Sequence, residues 1–297
     1  MRDRLSLDQI RTFIAAAEEG SFSAAARKLG RAQSAVSELV RRMEEEFGVA
    51  LFDRSGRAPR LTPAGEALLR DARAVGGAID FLNFHAKGLS EGLEPELCAV
   101  VDVYFPFQAI TEAAKDFRER FPATPLRLYV EVLGAATEPL LDGRASLAIV
   151  GGPSPLPPGL AAEPLLGVAV IMVAAPDHPL ARLTGVIPQS ELARHVQLVL
   201  TERSNRSSGR EYGVFSPTSW RLADLYAKHS FLLSGLGWGS MPLHAVERDL
   251  AEGRLVRLAT PQAPYDGMIV PMAAAYRTSA PPGPAGRWLI ERLKATR

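Results

Sequence analysis

The sequence of 297 residues predicts an α/β protein in two parts, a helical N-terminal segment and a longer segment in which strands and helices alternate. Three observations support this prediction. Apolar residues recur at helical spacing up to about residue 87, the stretch 89–96 has the composition of a linker, and apolar strand-like runs separated by helical segments follow. A chain of this length is expected to form two or three domains.

The composition is that of an ordinary globular protein, with 47% hydrophobic and 23% charged residues. The net charge is +1, so attraction to a nucleic acid requires a local concentration of basic residues. Cys98 is the only cysteine, which excludes an internal disulfide. The N-terminal stretch lacks the apolar core of a signal peptide, and no apolar run reaches the ~18 residues of a membrane span. We therefore expect a cytoplasmic protein with no membrane partner.

The N-terminal segment begins with three predicted helices, over 5–19, 24–29 and 33–47. Gly20 ends the first of them and Gly30 the second, because glycine tolerates a left-handed backbone. Either Ser21 or Ser23 is expected to cap the second helix, since a short hydroxyl can accept from the free amides of a first turn. The apolar residues of the third helix fall on one face, which leaves its other face for polar contacts.

Two short strands are predicted next, over 49–52 and 59–61, with the basic loop RSGRAP between them. Helix, short helix, tight turn, longer helix and a two-stranded hairpin form the layout of a winged helix-turn-helix. Between Gly20 and Met43 there are five basic residues and one acid, a local charge of +4. A nearly neutral chain has thus concentrated positive charge around one helix and one hairpin, as binding to DNA phosphates requires.

The candidate DNA-binding residues lie on the outer face of the third helix, beside it and in the hairpin. Most can donate hydrogen bonds to phosphates or base edges, and the one acid can accept from a cytosine amino group. The alternative is a small helical bundle with solvated charges. The candidates are Ser23, Arg31, Gln33, Ser34, Ser37, Glu38, Arg41, Arg42, Arg54, Arg57 and Arg60.

A long helix is predicted from Pro63 to about residue 87, with Thr62 as its N-cap. Its apolar residues repeat near every 3.5 positions, as in a helix that pairs with another helix. One winged helix covers half of a paired site, so two copies are expected on DNA and this helix is the predicted dimer contact. The alternative is a helix that packs only on its own chain.

From residue 97 onwards, the order strand, helix, strand, helix, strand predicts a parallel sheet covered by helices. A second series follows a proline-rich break, and in it a helix is predicted from Ser219 or Trp220 to His229. Two such halves place a crevice at the carboxyl ends of their strands. Residues that follow strand ends, and nearby aromatic residues, are the candidates for binding a small molecule in this crevice: Tyr104, Phe105, Pro106, Gly134, Thr137, Thr201, Arg203, Trp220 and Trp238.

The sequence contains no motif of enzyme chemistry. No histidine lies three or four residues from another, and neither a phosphate-binding loop nor a nucleophile elbow is present. The stretch GLGWG over 235–239 is typical of a turn rather than of a dinucleotide site, and Cys98 is expected in the core. We predict neither enzyme activity nor a metal or cofactor. An α/β enzyme or a solute carrier with a helical appendage is the alternative.

Residues 5–70 resemble the DNA-binding domain of the LysR-type transcriptional regulators. The stretches LDQIRTFIAAAEEGSFSAAARKL, SAVSELVRRMEEEFGVALFDR and RLTPAGEALL carry the resemblance, and weaker similarity continues through LLDGRASLAIVG and SGLGWGSMP. The resemblance implies that Gln33 and Arg41 enter a groove of DNA. It also implies that Ser34 and Ser37 lie near the backbone or the bases.

Three positions depart from the pattern of that family. Ala32 stands where a hydroxyl cap is usual, Ser34 where proline is usual, and Glu38 where arginine or glutamine is usual. These departures affect which bases are read rather than whether DNA is bound. The resemblance also places Arg54 in the wing.

The same resemblance implies a fold, an assembly and an effector. The C-terminal domain would be shaped like the periplasmic binding proteins, and copies would form dimers through the long helix and tetramers through the C-terminal domains. The implied domains are a winged helix-turn-helix over 1–62, a linker and dimerisation helix over 63–90, and an effector-binding domain over 91–297, with subdomain I over 94–163 plus 267–297 and subdomain II over 164–266.

The loop after the first strand of the C-terminal domain departs from the family as well. Regulators of this kind commonly offer a serine or threonine there to an anionic effector, whereas this chain offers Tyr104 and Phe105. We therefore expect an effector with an aromatic or apolar body, and a small carboxylate is also compatible. Thr201 and Arg203 are the expected polar anchors.

Overall fold

The computed structural model describes residues 5–56, 58–152, 156–202 and 213–296. The chain separates into two compact units, Met1–Ser90 and Glu91–Arg297. Two of the predicted site residues, Arg57 and Arg203, lie outside the described residues. Within the described residues, no helix is both long and apolar enough to cross a membrane.

The first unit is a helical bundle with a short hairpin. Its elements are α1 Leu7–Glu19, α2 Phe22–Leu29, α3 Gln33–Phe47, β1 Phe52–Asp53, β2 Arg60–Leu61 and α4 Pro63–Ser90. The Ser21 hydroxyl accepts from the Ala24 N–H at 3.1 Å, so Ser21 rather than Ser23 caps α2. Gly30 ends α2 with φ of 65° and makes the tight turn into α3.

The core of this unit is formed by the apolar faces of α1, α2 and α3. Phe52 at the start of the hairpin meets Phe13 and Phe22 edge-on, with ring centroids 5.8 and 5.2 Å apart, and this fixes the hairpin to the bundle. The hairpin strands are shorter than predicted. The Glu44 carboxylate accepts from the backbone N–H groups of Leu51 and Phe52, which ends the first strand's extension toward residue 49.

Helix α4 extends three residues beyond its predicted end at residue 87. The Thr62 hydroxyl accepts from the Gly65 N–H at 3.0 Å, which satisfies one free amide of the first turn. The first half of α4 buries Leu69 and Ala72 in the core of the unit, and Gly76 lies against Ile14 of α1. Beyond Ala72, α4 leaves several large apolar side chains exposed: Val75, Phe81, Leu82, Phe84 and Leu89.

The second unit is an α/β domain. Its elements are β3 Leu97–Asp102, α5 Phe107–Arg120, β4 Leu126–Glu131, a 3-10 helix Leu133–Thr137, α6 Glu138–Leu141, β5 Leu147–Gly151, β6 Leu160–Ala174, a 3-10 helix Pro179–Arg182, α7 Gln189–Leu192, β7 Gln197–Leu200, β8 Ser219–Leu222, α8 Leu225–Leu233, β9 Trp238–Pro242, α9 Leu243–Ala251, β10 Val256–Leu258, β11 Met268–Arg277 and α10 Pro284–Lys294.

The strands are hydrogen-bonded in the order β4-β3-β5-β11-β6-β9-β7-β8, and β10 pairs with β6. In the first half, β3 is parallel to both β4 and β5, which confirms the predicted parallel sheet. The long strands β6 and β11 run antiparallel and connect the first half to the second. In the second half, β7 is parallel to β8 and β9.

The prediction of a helix from Ser219 or Trp220 to His229 is wrong at its start. Ser219–Leu222 instead form β8, whose backbone pairs with β7. The helix begins only after Asp224, whose carboxylate accepts from the Ala227 N–H at 2.7 Å and acts as the N-cap. The apolar run that begins at Phe231 completes α8, and the next strand starts at Trp238.

Close backbone approach explains the glycines of GLGWG. Gly235 has φ of 70° and turns the chain out of α8. A Cβ on Gly237 would lie 2.4 Å from the Val196 carbonyl oxygen, and one on Gly239 would lie 2.4 Å from that of Leu198. The stretch is therefore a turn that enters a strand packed closely on β7.

Candidate DNA interface and effector cleft

Helix α3 has one face in the core of the first unit and one face in solvent. Val36, Val40 and Met43 are buried, so the orientation of the helix is fixed by packing. Of the candidate DNA-binding residues on α3, Gln33, Ser34, Arg41 and Arg42 are exposed, and Ser37 and Glu38 are half-buried. The side chains that can reach a ligand are therefore polar and lie on one surface.

The other described candidates of this unit are also exposed. Ser23 lies in the first turn of α2, and Arg31 lies in the turn before α3. Arg54 and Arg60 lie at the two sides of the hairpin. Ala32, at the N-cap of α3, makes no side-chain cap, so the first amides of that helix have no side-chain acceptor from this position.

Acids of the same unit hold most of these arginines. Glu38 accepts from Arg41 at 2.8 Å and from Arg42 at 2.9 Å, and Arg41 also pairs with Glu45. The hydrogen bonds from Arg41, and then those from Arg42, lower the pKa of Glu38 to about 2. Glu38 is therefore a fixed anion at the centre of the exposed face.

Arginines outside α3 follow the same arrangement. Arg31 pairs with Asp8 at 2.6 Å, and Arg54 pairs with Glu44 at 2.7 Å. Arg54 also lies over the ring of Phe22, 5.3 Å from its centroid. Exposed ion pairs of this type contribute little to stability, about 0–1 kcal/mol each, so a phosphate can compete for these cations.

The second unit contains a cleft between its two halves. A cavity of about 380 Å³ is bordered on one side by the ends of β3 and β4 and the short helices after β4, and on the other side by the start of α8. Charged groups from both sides border it. The lining residues are Val103, Val130, Glu131, Val132, Ala135, Glu138, Pro139, Arg144, Ala223, Asp224 and Leu225.

Several predicted effector residues lie in the loops around this cleft. Tyr104 and Pro106 follow β3 and are half-buried. Gly134 lies in the 3-10 helix after β4, and Thr137 ends that helix and is buried. Thr201 follows β7, where its N–H donates to the Leu222 carbonyl at 2.9 Å.

Three aromatic assignments need correction. Phe105 is 1% exposed and belongs to the core under β3 and β5, because the chain turns and the side chain after Tyr104 points inward. Trp238 is fully buried in the core around β6 and β10. Trp220 is 46% exposed on the edge strand β8, where it meets Phe231 edge-on at 6.4 Å. None of the three borders the cavity, and the other described candidates, Tyr104, Pro106, Gly134, Thr137 and Thr201, are not among its lining residues either.

The sequence analysis missed Lys228, which is only 1% exposed. Its Nζ donates to the Ser240 hydroxyl at 3.3 Å, and that hydroxyl lies 3.5 Å from the Tyr104 hydroxyl. Burial lowers the pKa of Lys228 to about 7. A signal was present in the sequence, because Lys228 stands three residues after Leu225 and four before Leu232, on the buried face of an apolar helix.

Two charged residues at the cavity, Arg144 and Asp224, were missed as well. Arg144 pairs with Asp142 at 2.7 Å, and this pairing raises the pKa of the guanidinium above its ordinary value. Asp224 is the N-cap of α8. Its position three residues before Ala227, at the start of an apolar helical run, was a capping signal in the sequence.

Comparison with known proteins places both units. The family described as "Bacterial regulatory helix-turn-helix protein, lysR family" matches residues 7–66, and the family described as "LysR substrate binding domain" matches residues 90–297. The HTH-type transcriptional activator AllS of Klebsiella pneumoniae is 32% identical over 85% of this chain and 94% of that protein. The probable HTH-type transcriptional regulator YhaJ of Escherichia coli is 30% identical over 97% of this chain and 96% of that protein.

Solved structures agree in fold along the whole chain. A cysteine mutant of OxyR from Corynebacterium glutamicum has a TM-score of 0.55 and 25% identity, and the match covers 99% of this chain and 93% of that chain. A full-length OxyR variant from Pseudomonas aeruginosa has a TM-score of 0.52 over 98% of both chains; at 22% identity it speaks for the fold alone. These matches agree with the polar face of α3, the hairpin beside it and the two-halved cleft domain. The chain therefore belongs to the LysR family of transcriptional regulators, with a helix-turn-helix DNA-binding domain and an effector-binding domain.

Proposed function

We propose that this protein controls transcription by inserting α3 into the major groove of double-stranded DNA, with the hairpin as a wing along the backbone. One observation carries the proposal. Val36, Val40 and Met43 of α3 are buried in the core, while the opposite face presents polar side chains to the outside: Gln33, Ser34, Ser37 and Arg41. Gln and Arg are side chains that make paired hydrogen bonds to base edges, and Ser can donate to a phosphate.

The arginines beside α3 supply the phosphate contacts. Arg42 lies on the helix, and Ser23 adds a hydroxyl at the start of α2. The arginines that flank the helix in the sequence are Arg31, Arg54, Arg57 and Arg60. A phosphate replaces the exposed acids that now pair with several of them, because such pairs are weak and screened. Glu38 stays on the face as an acceptor, and it favours a cytosine amino group over the acceptor atoms of guanine.

We assign residues 1–62 to DNA binding, 63–90 to self-association and 91–297 to effector binding, with subdomain I over 94–163 plus 267–297 and subdomain II over 164–266. A second copy is the partner that the exposed apolar side chains of α4 fit, because two readers must be held on paired half-sites. Burial of a large apolar side chain contributes about 1.5–3 kcal/mol. The C-terminal domains would extend such dimers to tetramers.

The cleft of the second unit is the proposed site of a small organic effector. Tyr104, Pro106, Gly134, Thr137 and Thr201 lie in the loops around it. An effector that binds one closure of the two halves more tightly than another shifts the population toward that closure. The shift changes the spacing of the DNA readers and the bend of the DNA. The protein acts in the cytoplasm, beside the chromosome, and as a regulator rather than as an enzyme.

The test is a gel-shift titration of the full-length protein on the DNA beside its own gene. Arg41→Glu places a third acid beside Glu38 and Glu45 and is expected to abolish binding while the thermal unfolding curve keeps its cooperative shape. The matched control is Arg118→Glu, at an exposed arginine of α5 in the other unit. Wild-type affinity in Arg41→Glu would contradict the assignment of α3 as the DNA reader.

A further inference from the structure

Lys228 is a buried amine that forms no ion pair with a described residue. A buried ammonium group loses its hydration, and this costs free energy unless hydrogen bonds and an opposite charge replace the water. Among the described residues, Ser240 is the one recorded acceptor for Nζ, at 3.3 Å, and no carboxylate forms an ion pair with it. A shape-matched apolar residue would be more stable at this position, so the lysine needs a reason other than packing.

The surroundings direct the amine toward the boundary between the two halves. A Cβ on Gly239 would lie 3.3 Å from Lys228 Cε, so this glycine leaves room for the lysine to run along β9 to Ser240. The Ser240 hydroxyl lies 3.5 Å from the Tyr104 hydroxyl, at the limit of a hydrogen bond. Lys228 and Ser240 belong to the second half and Tyr104 to the first, so donor groups from both halves converge.

Chain neighbours of this cluster border the cavity of the cleft. Val103 borders the cavity and precedes Tyr104 in the chain, and Leu225 borders it one helical turn before Lys228. Tyr104 and Ser240 are each half-buried, and burial raises the pKa of the Tyr104 hydroxyl, so a ligand must open the cluster to reach its donors. None of the three side chains lines the cavity itself, so a small molecule in the cleft reaches the amine only by displacing the contact between Tyr104 and Ser240.

We propose, on the basis of the effector role proposed above, that Lys228, Ser240 and Tyr104 together anchor the carboxylate group of a small organic acid. The ammonium supplies the positive charge, and the two hydroxyls donate to the carboxylate oxygens. The acid in turn supplies the counter-charge that the buried lysine lacks. This anchor takes the place of Thr201 and Arg203, which sequence reasoning favoured.

Proton uptake is the signature of this anchor. Burial lowers the pKa of Lys228 to about 7, and a bound carboxylate favours the charged amine, so binding raises that pKa. Above about pH 7, the amine must take up a proton from the solvent when a carboxylate binds. The affinity for the acid therefore falls by up to about tenfold per pH unit.

Other titratable groups near the amine do not produce this behaviour. Burial raises the pKa of Tyr104, which keeps its hydroxyl neutral, and Asp102 accepts from the Tyr104 N–H at 2.8 Å. On α8 itself, Asp224 caps the helix and His229 is bonded to Asp249 at 2.7 Å.

The test follows the Lys228 amine directly in the full-length protein. The sequence contains five lysines, so ¹³C labelling at Cε gives five signals, and the Lys228→Met variant identifies the one that titrates near pH 7. Sodium acetate is the probe, because acetate is the smallest carboxylate that carries a methyl group. We expect saturating acetate to raise the midpoint of that signal by about one pH unit or more. Sodium chloride at equal ionic strength and neutral acetamide should leave it unchanged.

Variants separate an anchor from a merely structural lysine. Ser240→Ala should weaken acetate binding about tenfold, because one hydrogen bond to a charged group is lost. Lys115→Met, at an exposed lysine of α5, should bind acetate like the wild type. An equal midpoint in acetate and in chloride, or unchanged acetate affinity in Ser240→Ala, would overturn the anchor. If the wild type then still binds DNA specifically, only the anchor is wrong. If the wild type does not bind DNA specifically, the proposed function on which the anchor rests is wrong as well.

Discussion

The two units of this protein hold their cations in opposite ways. In the first unit, Arg41 and Arg42 are 49% and 61% exposed and are paired with acids on the surface, whereas Lys228 of the second unit is buried. An exposed cation is screened by salt, while a buried one responds to pH and to the charge of whatever enters its site. With the proposed functions, the first unit would bind a large polyanion through many weak surface contacts, and the second would bind a small acid through one desolvated amine.

The largest expected effect concerns the exposed apolar side chains of α4 in the first unit, which form the proposed dimer contact. In the double variant Phe81→Asp with Phe84→Asp, we expect the dimer dissociation constant to rise at least about a hundredfold, because four aromatic rings per dimer lose their burial. Sedimentation velocity over a concentration series measures it. Phe107→Asp, at a phenylalanine of equal exposure on α5, is the control. A double variant that dimerises like the wild type would mean that α4 is not the interface.

The burial of Lys228 predicts that the stability of the protein depends on pH. The folded-state pKa of Lys228 lies below the unfolded value, so the unfolded chain binds more protons between about pH 7 and 10.5, and stability rises with pH over that window. Between pH 7 and pH 9.5, the wild type should gain roughly 3 kcal/mol of unfolding free energy relative to Lys228→Met. Urea unfolding at both pH values measures the gain. Parallel pH profiles for the two proteins would show that the amine is not buried as described.

A pair of serines sharpens the distinction between folding and binding within the first unit. Ser21→Ala removes the cap of α2 and should cost about 1 kcal/mol of stability. Ser23→Ala, at an exposed hydroxyl two residues on, should change stability by less than about 0.5 kcal/mol but weaken DNA binding a few-fold. Thermal unfolding and fluorescence anisotropy on labelled DNA separate the two effects. The reverse pattern would exchange the roles of the two serines.

The smallest effect concerns the acid on the reading face. Glu38→Gln frees Arg41 and Arg42 from their shared partner and removes one negative charge near the phosphates. We expect the affinity for DNA of arbitrary sequence to rise about threefold. The preference for one binding-site sequence over another should weaken, because the acceptor for cytosine is weaker. Competition titrations with two DNA sequences measure both. If affinity for arbitrary DNA falls instead, Glu38 organises the arginines for binding rather than opposing it.

The first unit could be predicted closely because its rules are local. Gly30, the apolar stripe and Gly48 fix α3 at residues 33–47, and the structure has the same bounds. The first hairpin strand starts later than predicted because the Glu44 carboxylate accepts from the backbone N–H groups of Leu51 and Phe52. The pairing of Glu38 with two arginines also depends on side-chain rotamers that spacing alone does not set.

The second unit was harder because its site depends on tertiary packing. Phe105 follows β3, as the rule for cleft residues requires, and Trp238 begins β9, but both side chains pack into cores. Because lysine is almost never fully buried, sequence rules do not favour Lys228 as an interior group, although its spacing places it on an apolar face of α8. The start of α8 was misplaced because Trp220 fits a helix or a strand equally well, and pairing with β7 decides between them.

The central claim, that α3 meets DNA phosphates and bases with exposed cations, is tested most directly by the salt dependence of DNA affinity in the wild type and in Arg41→Ala. We predict that wild-type affinity falls steeply between 50 and 200 mM salt, by about a thousandfold if six phosphates are contacted. Arg41→Ala should bind more weakly and lose about one unit of the logarithmic salt slope if Arg41 touches a phosphate, or keep the slope and lose discrimination if it reads a base. Equal affinity, slope and sequence preference in the two proteins would contradict the account.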